Sequence, residues 1–247
     1  MYLSVQGLVL RVSPYNETDA MLTLITCDHG LLSVKARGLR RKNSPLIAPC
    51  QLLAYSEFLL FENRGFYTIN EAKTIELFHS LRKDLLKFSL GTYFAQVTEV
   101  ISQEDIPNPE LMTTLLNCLY ALSKLNLPES IVKAAFELRV SCIAGYTPDL
   151  SDCACGRSET LFIDLSDGCL VCDRCALQHA GGIRLPLAAG TLASMRYISQ
   201  CESKRLFSFK VGAETAQELT DATEAYLVTQ LERGFSTLDF YKTLLIE

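Results

Sequence analysis

Over the first seventy-seven residues, apolar and β-branched side chains come in short runs separated by turn residues. Residues 3–12 (LSVQGLVLRV) and 20–27 (AMLTLITC) read as strands, with Ser13-Pro14-Tyr15-Asn16-Glu17 as turn chemistry between them. Asp28-His29-Gly30 makes a tight turn, and residues 31–36 resume a strand. A loop over 37–49 is broken by Gly38, Asn43, Ser44, Pro45 and Pro49. Residues 51–61 and 65–75 supply two more strands, joined at Glu62-Asn63-Arg64. Five short antiparallel strands predict a small closed barrel. The five-stranded OB-fold is the first expectation, with an SH3-like barrel as the alternative.

From residue 78 the apolar period changes. Leu86, Leu90, Phe94, Val97 and Ile101 recur every three or four positions, which predicts an amphipathic helix. Asn108 followed by Pro109 reads as an N-cap with proline at the first helical position, and Leu111, Leu115, Leu119 and Leu122 form the next stripe. A third helix spans 129–144 and stops at Gly145, and helices resume at 188–198, 213–232 and 238–245. The predicted class is α+β: an OB-fold barrel over 1–77, then an all-helical domain over 78–247. An insertion at about 150–180 interrupts the helical pattern.

That insertion changes the picture. The stretch Cys153 to Cys175, CACGRSETLFIDLSDGCLVCDRC, holds five of the ten cysteines. Cys172 and Cys175 make a C-x2-C pair. Cys155-Gly156 closes a second knuckle, with Cys153 two positions upstream, and sixteen residues lie between Cys155 and Cys172. Two close pairs joined by a short hairpin have the spacing of a four-cysteine zinc site. The first pair is C-x-C, so the fourth ligand is open among Cys153, Asp152 and Cys169. Cys153 ranks first, because thiolate is the preferred structural ligand. With no histidine in the cluster, the expected site is a closed, structural Zn2+ site of Cys153, Cys155, Cys172 and Cys175. A redox C-x2-C wants a βαβ setting, and a deaminase zinc wants H-x-E with P-C-x-x-C; neither pattern is present.

Charge adds a second feature. The net charge is −5, yet residues 1–42 carry six basic and three acidic side chains, leaving −8 on the remainder. The excess is concentrated in Lys35, Arg37, Arg40, Arg41 and Lys42. A basic loop beside a barrel strand can track a phosphate backbone while aromatic neighbours offer stacking platforms, so these five are the candidate DNA-binding residues. Tyr55, Phe58, Phe61, Phe66 and Tyr67 are the available rings, of which strand alternation turns about half inward. His29 reads as a turn residue, His79 and His179 as surface or packing residues, and Glu104-Asp105 as solvated charge. No phosphate-binding glycine loop, nucleophile elbow or H-E-x-x-H appears, so no enzyme is expected. No apolar run suggests a membrane span, the N-terminus lacks signal-peptide character, and bunched cysteines suit a reducing cytoplasm.

The order of these parts resembles the bacterial RecO recombination mediators of DNA repair. The resemblance is carried by Gly7-Leu8-Val9-Leu10 through Tyr15-Asn16-Glu17-Thr18-Asp19 and by the basic segment Lys35 to Ser44. It continues in Glu71-Ala72 and in the lead-in Gly145-Tyr146-Thr147-Pro148-Asp149-Leu150 to Cys155-Gly156, then Gly168, Cys172 and Cys175. It implies an OB-fold followed by a zinc-bearing helical domain. It also implies binding of single- and double-stranded DNA and strand annealing. Partners would be RecR, the C-terminal tail of single-strand-binding protein docking on the helical domain, and indirectly RecA. The place would be a bacterial cytoplasm at the nucleoid. By position, the resemblance makes Lys35, Arg37, Arg40, Arg41 and Lys42 DNA-contacting and Cys155, Cys172 and Cys175 zinc ligands. Two competing readings are a zinc-ribbon adaptor that binds only proteins and a metal-dependent hydrolase with an open coordination position.

Overall fold

Strand β1 (Tyr2–Pro14) is long enough to serve two neighbours, and that closes the barrel. A computed structural model describes residues 1–157, 161–178 and 182–246. After β1 come β2 (Ala20–Thr26), β3 (Gly30–Ala36), β4 (Tyr55–Asn63) and β5 (Phe66–Glu76). The first half of β1 pairs with β4 and its second half with β2, giving a closed order β1-β2-β3-β5-β4. A bulge between Val9 and Arg11 bends the strand where it changes partner. At Gly7 an added Cβ would lie 3.2 Å from the Ile25 carbonyl, so a side chain there would press on β2. Val5, Val9, Leu22, Leu24, Leu32, Val34, Phe58, Leu60 and Ile69 fill the interior from alternate positions of all five strands.

Two expectations need correction. The strands are not all antiparallel: β3 and β5 pair in parallel at Val34–Tyr67 and Lys35–Thr68, the Greek-key closure of an OB barrel rather than an SH3-like one. Residues 51–54 are not strand. Leu53 has φ 62°, in the left-handed region, and its N–H donates to the Val9 carbonyl at 2.8 Å, so the chain turns there before β4 starts. The β4–β5 turn has positive φ at Arg64 and Gly65, as a two-residue type I′ hairpin requires.

The chain divides into two compact units, residues 1–125 with 235–247, and residues 126–234. This differs from the change of period at residue 77: the barrel shares its unit with α1 (Leu85–Ile101), α2 (Pro109–Lys124) and α7 (Ser236–Leu244). Asp84 caps α1 by accepting the Lys87 N–H at 3.1 Å, and Asn108 caps α2 by accepting that of Leu111 at 3.0 Å. Gly91 lets α1 meet the turn before β4; a Cβ there would be 2.9 Å from a Leu53 methyl. Helix α7 is held to α1 by an edge-on contact of Phe235 with Tyr93, at 5.7 Å between ring centres.

The second unit contains α3 (Glu129–Ile143), β6 (Leu161–Asp164), β7 (Cys169–Cys172), α4 (Asp173–Gln178), β8 (Arg184–Leu187), α5 (Ala189–Gln200) and α6 (Ala213–Gln230). It is helical around a three-stranded antiparallel sheet of order β7-β6-β8: β6 and β7 are the hairpin expected between the cysteine pairs, and β8 is an addition to the expected helices. Gly145, at φ 94°, ends α3, with the Tyr146 N–H returning to the Ser141 carbonyl at 2.9 Å. Between α3 and α6, buried Lys133 lies 2.8 Å from both Glu137 and Glu224, and Thr223 donates to Glu137 at 3.0 Å. Burial alone would lower the lysine's pKa, but the two carboxylates, Glu137 foremost, hold it raised.

Candidate nucleic-acid interface and metal centre

In the first unit the basic segment leaves β3 and returns against the turn between β1 and β2. That turn is organised by Asn16, whose side-chain oxygen accepts the N–H groups of Thr18 and Asp19 at 2.9 and 2.7 Å. Asp19 then reaches across. One carboxylate oxygen accepts the Gly38 N–H at 2.9 Å and the other pairs with the Lys35 ammonium at 3.2 Å. The Gly38 N–H, with help from Asn16, Lys35 and Thr18, holds the Asp19 carboxyl well below the usual carboxylate range. Gly38 sits at φ 67°, the bend that sends the chain back toward the turn. Arg40 completes the latch: its N–H donates to the Thr18 carbonyl at 3.0 Å and its guanidinium to the Asn16 carbonyl.

The five candidate cations therefore differ. Lys35 is half-buried, paired with Asp19 and 4.4 Å over the Tyr15 ring, and the Arg40 guanidinium is taken up by the latch. Arg37, Arg41 and Lys42 are exposed. Sequence reasoning singles out the cations but not their anchors. The signal is present as Asn16 followed three positions later by Asp19, a common self-bonding turn pattern.

The rings also sort. Phe58 is buried, Tyr55 donates to the Gln6 side chain at 2.8 Å, and Tyr67 packs on the core. Phe61 and Phe66 face outward, joined by Tyr2, which was not among the rings expected from the sequence. An open cleft of about 490 Å³ lies between Tyr2, Phe61 and Thr68 on the strands and Arg37 and Ser44 on the loop. His29 is a turn residue whose N–H donates to the Thr26 hydroxyl at 3.1 Å, and His79 is exposed. His179 lies outside the described residues.

In the second unit, Cys153 and Cys155 come from the loop after α3, Cys172 ends β7, and Cys175 lies in the first turn of α4. Gly156, at φ 76°, closes the first knuckle, and its N–H donates to the Cys153 carbonyl at 2.7 Å. The four sulfurs all lie within 4.8 Å of one another, with Cys155 at 3.5 Å from both Cys153 and Cys172. Bonds of ~2.3 Å to a tetrahedral ion would set sulfur–sulfur edges of about 3.8 Å, so the thiols present fit such an ion. Among the described residues this is the only gathered set of potential ligands, and neither Asp152 nor Cys169 belongs to it. Cys169 starts β7 three residues before Cys172, where the pleat turns it to the opposite face.

Backbone N–H groups of Cys155 and then Cys172 pull the Cys153 thiol down to about 6. Thiol–thiol hydrogen bonds, those with Cys155 and Cys153 foremost, push Cys175 up to about 12. Four thiolates cannot gather without a cation, so a metal ion would take the place of protons here.

The knuckles are fixed by polar ties. Buried Asp164 at the end of β6 accepts the Ser166 N–H at 3.1 Å and the Arg184 guanidinium at 2.8 Å, and Arg184 donates on to the Ala176 carbonyl at 2.7 Å. Strand β8 thus holds α4, and with it Cys175. Arg196 on α5 donates to the Leu150 carbonyl at 2.6 Å, and Gln230 on α6 donates to that of Leu165 at 2.7 Å. None of these ties corresponds to a sequence motif.

A closed OB barrel with a latched cationic loop, and a helical unit centred on four cysteines, define a two-part class of OB-fold protein. The family described as Recombination protein O N terminal matches residues 1–78, and Recombination protein O C terminal matches residues 82–239. The chain belongs to the RecO family. It is 31% identical to the DNA repair protein RecO of Acetivibrio thermocellus over 246 residues, covering 98% of this chain and 97% of that protein. The DNA repair protein RecO of Alkaliphilus metalliredigens is 29% identical over 99% of this chain and 100% of its own length. That of Bacillus subtilis is 28% identical over 92% and 88%. Among the described residues no helix is long and apolar enough to cross a membrane.

Proposed function

We propose that this chain is a DNA repair and recombination mediator that binds single- and double-stranded DNA and anneals complementary strands. With RecR, it would help load RecA on DNA coated with single-strand-binding protein, whose C-terminal tail would dock on the helical unit. The reading rests on one observation above others: exposed Arg37, Arg41 and Lys42 on a loop that Asp19 and Arg40 hold in place. Lys35 and Arg40 serve to fix the loop. Annealing needs no covalent step. Cations that neutralise phosphates lower the repulsion between two strands and release counterions, and they leave base edges free to pair. The protein acts as a binding protein rather than an enzyme, in the bacterial cytoplasm at the nucleoid.

The metal of this reading is Zn2+, held by Cys153, Cys155, Cys172 and Cys175. Four sulfurs complete a tetrahedron and leave no open position, so the ion would supply folding energy rather than an activated water. This separates the reading from a metal-dependent hydrolase.

The test is strand annealing. Complementary oligonucleotides coated with the cognate single-strand-binding protein are followed by fluorescence across a salt series, with and without the protein. Salt-sensitive acceleration is expected. No acceleration, together with no DNA binding at low salt, would make the chain a zinc-stapled protein adaptor instead.

A further inference from the structure

The outer face of the barrel carries a transverse row that runs through four strands. Lys35 on β3 pairs in register with Thr68 on β5, Thr68 with Phe61 on β4, and Phe61 with Tyr2 on β1. Residues in register across neighbouring strands share a face, so one cation, one hydroxyl and two rings lie side by side. Three interstrand spacings make the row about 14 Å long. The rings touch, with centres 5.4 Å apart and planes tilted by 57°. Yet Tyr2 stays 59% and Phe61 41% exposed, and Phe66, two residues before Thr68 on β5, is 78% exposed.

Rings left this open on a closed barrel keep apolar faces in water that a flat apolar partner could cover. The row also borders the cleft that Arg37 and Ser44 enter from the basic loop, and Asn70 lines it as well. The two rings and the loop's Arg37 therefore open on the same space. Apolar faces alternating with a polyanion's charge are the chemistry of single-stranded nucleic acid, whose bases present π-faces only when unpaired. A duplex buries those faces in its own stack and can meet only the cations.

We propose that Tyr2 and Phe61 form a base-stacking platform for single-stranded DNA, with Arg37 placing a phosphate beside it. This rests on the DNA-binding reading above and deepens it. The loop's outward cations, Arg41 and Lys42, take either form of DNA, whereas the row selects unpaired bases. Stacking engages the face of a base and leaves its pairing edge open, which is what annealing requires.

The test compares a labelled thymidine oligonucleotide with an abasic one of equal length, which keeps the phosphates and removes the bases. At fixed salt the full-length protein should bind the thymidine strand about tenfold more tightly, the worth of one or two stacked bases. Tyr2→Leu with Phe61→Leu should bring that ratio close to one while leaving the salt slope and duplex affinity unchanged. Because the chain has no tryptophan, Phe61→Trp adds a single indole at the platform. The thymidine strand should quench its emission and the abasic strand should not. Equal wild-type affinity for the two strands, or an indole indifferent to both, would overturn the platform and leave phosphate binding standing. Binding to neither strand at low salt would overturn the DNA-binding reading along with it.

Discussion

The basic loop of the first unit and the cysteine knuckles of the second are both irregular chain held by polar ties, and they differ in what becomes of their candidate ligand groups. The loop is held by groups that are not its working ones: Asn16, Asp19 and the Arg40 backbone take up its polar atoms, and Arg37, Arg41 and Lys42 remain in water. The knuckles converge through their working groups, with three of the four sulfurs at least half-buried and Cys155 exposed. On the proposed reading, a surface that exchanges ions for phosphates needs its charges free, whereas a structural metal site gains by enclosing its ligands.

The strongest challenge to this contrast is loss of a cysteine. Cys172→Ser or Cys175→Ser should drop zinc from about one ion per chain to near none, measured by metal analysis after gel filtration. Hydrogen exchange should then rise through α4 and the β6–β7 hairpin and leave the barrel amides unaffected. Stoichiometric zinc in both variants would remove these thiols from the ligand set.

Next in size is the buried charge cluster of the same unit. Lys133→Met leaves Glu137 without its cation in an apolar interface, which should cost about 3–5 kcal/mol. The readout is hydrogen exchange of the α3 and α6 amides against denaturant. A change under about 1 kcal/mol would mean that Glu137 finds another partner or a proton at little cost.

The loop's free cations come third. Replacing Arg37, Arg41 and Lys42 together by Ala should flatten the log–log salt dependence of DNA binding by about two to three. The barrel's thermal midpoint should hardly move. An unchanged slope would take those three residues out of the interface.

The smallest effect concerns the latch itself. The depressed Asp19 carboxyl makes its favourable contribution above the ordinary carboxylate value, about pH 4, and loses it as pH falls through the lowered folded value. Protection of the Gly38 amide should therefore fall below about pH 4 in the native chain. In Asp19→Asn it should start lower and vary little with acid. Equal protection at neutral pH would show that the loop does not depend on this carboxylate.

Much of this architecture is legible in the amino-acid sequence. Alternation places all five barrel strands to within a few residues, except where Leu53 adopts left-handed backbone and delays β4. Asn108-Pro109 marks the start of α2, and Gly145 the end of α3. The cysteine spacing singles out the four sulfurs that converge, although it leaves Asp152 and Cys169 open. Strand β8 is not legible in this way. Four residues with a proline carry little periodic signal, and the strand's worth comes from Arg184 meeting Asp164 twenty positions away.

The sequence by itself determined the parts: short alternating strands, capped helices, paired cysteines and a cluster of cations. These depend on neighbours within a few positions, so local backbone preference and hydrophobic period suffice to reveal them. Only the tertiary structure decided which cations are free, which rings face water, and which thiols meet. Lys35 is quenched because Asp19 crosses from another turn, and Tyr2 meets Phe61 because β1 closes the barrel against β4. Such pairings join residues 16 to 59 positions apart, and strand register and loop closure, which no local pattern encodes, set them.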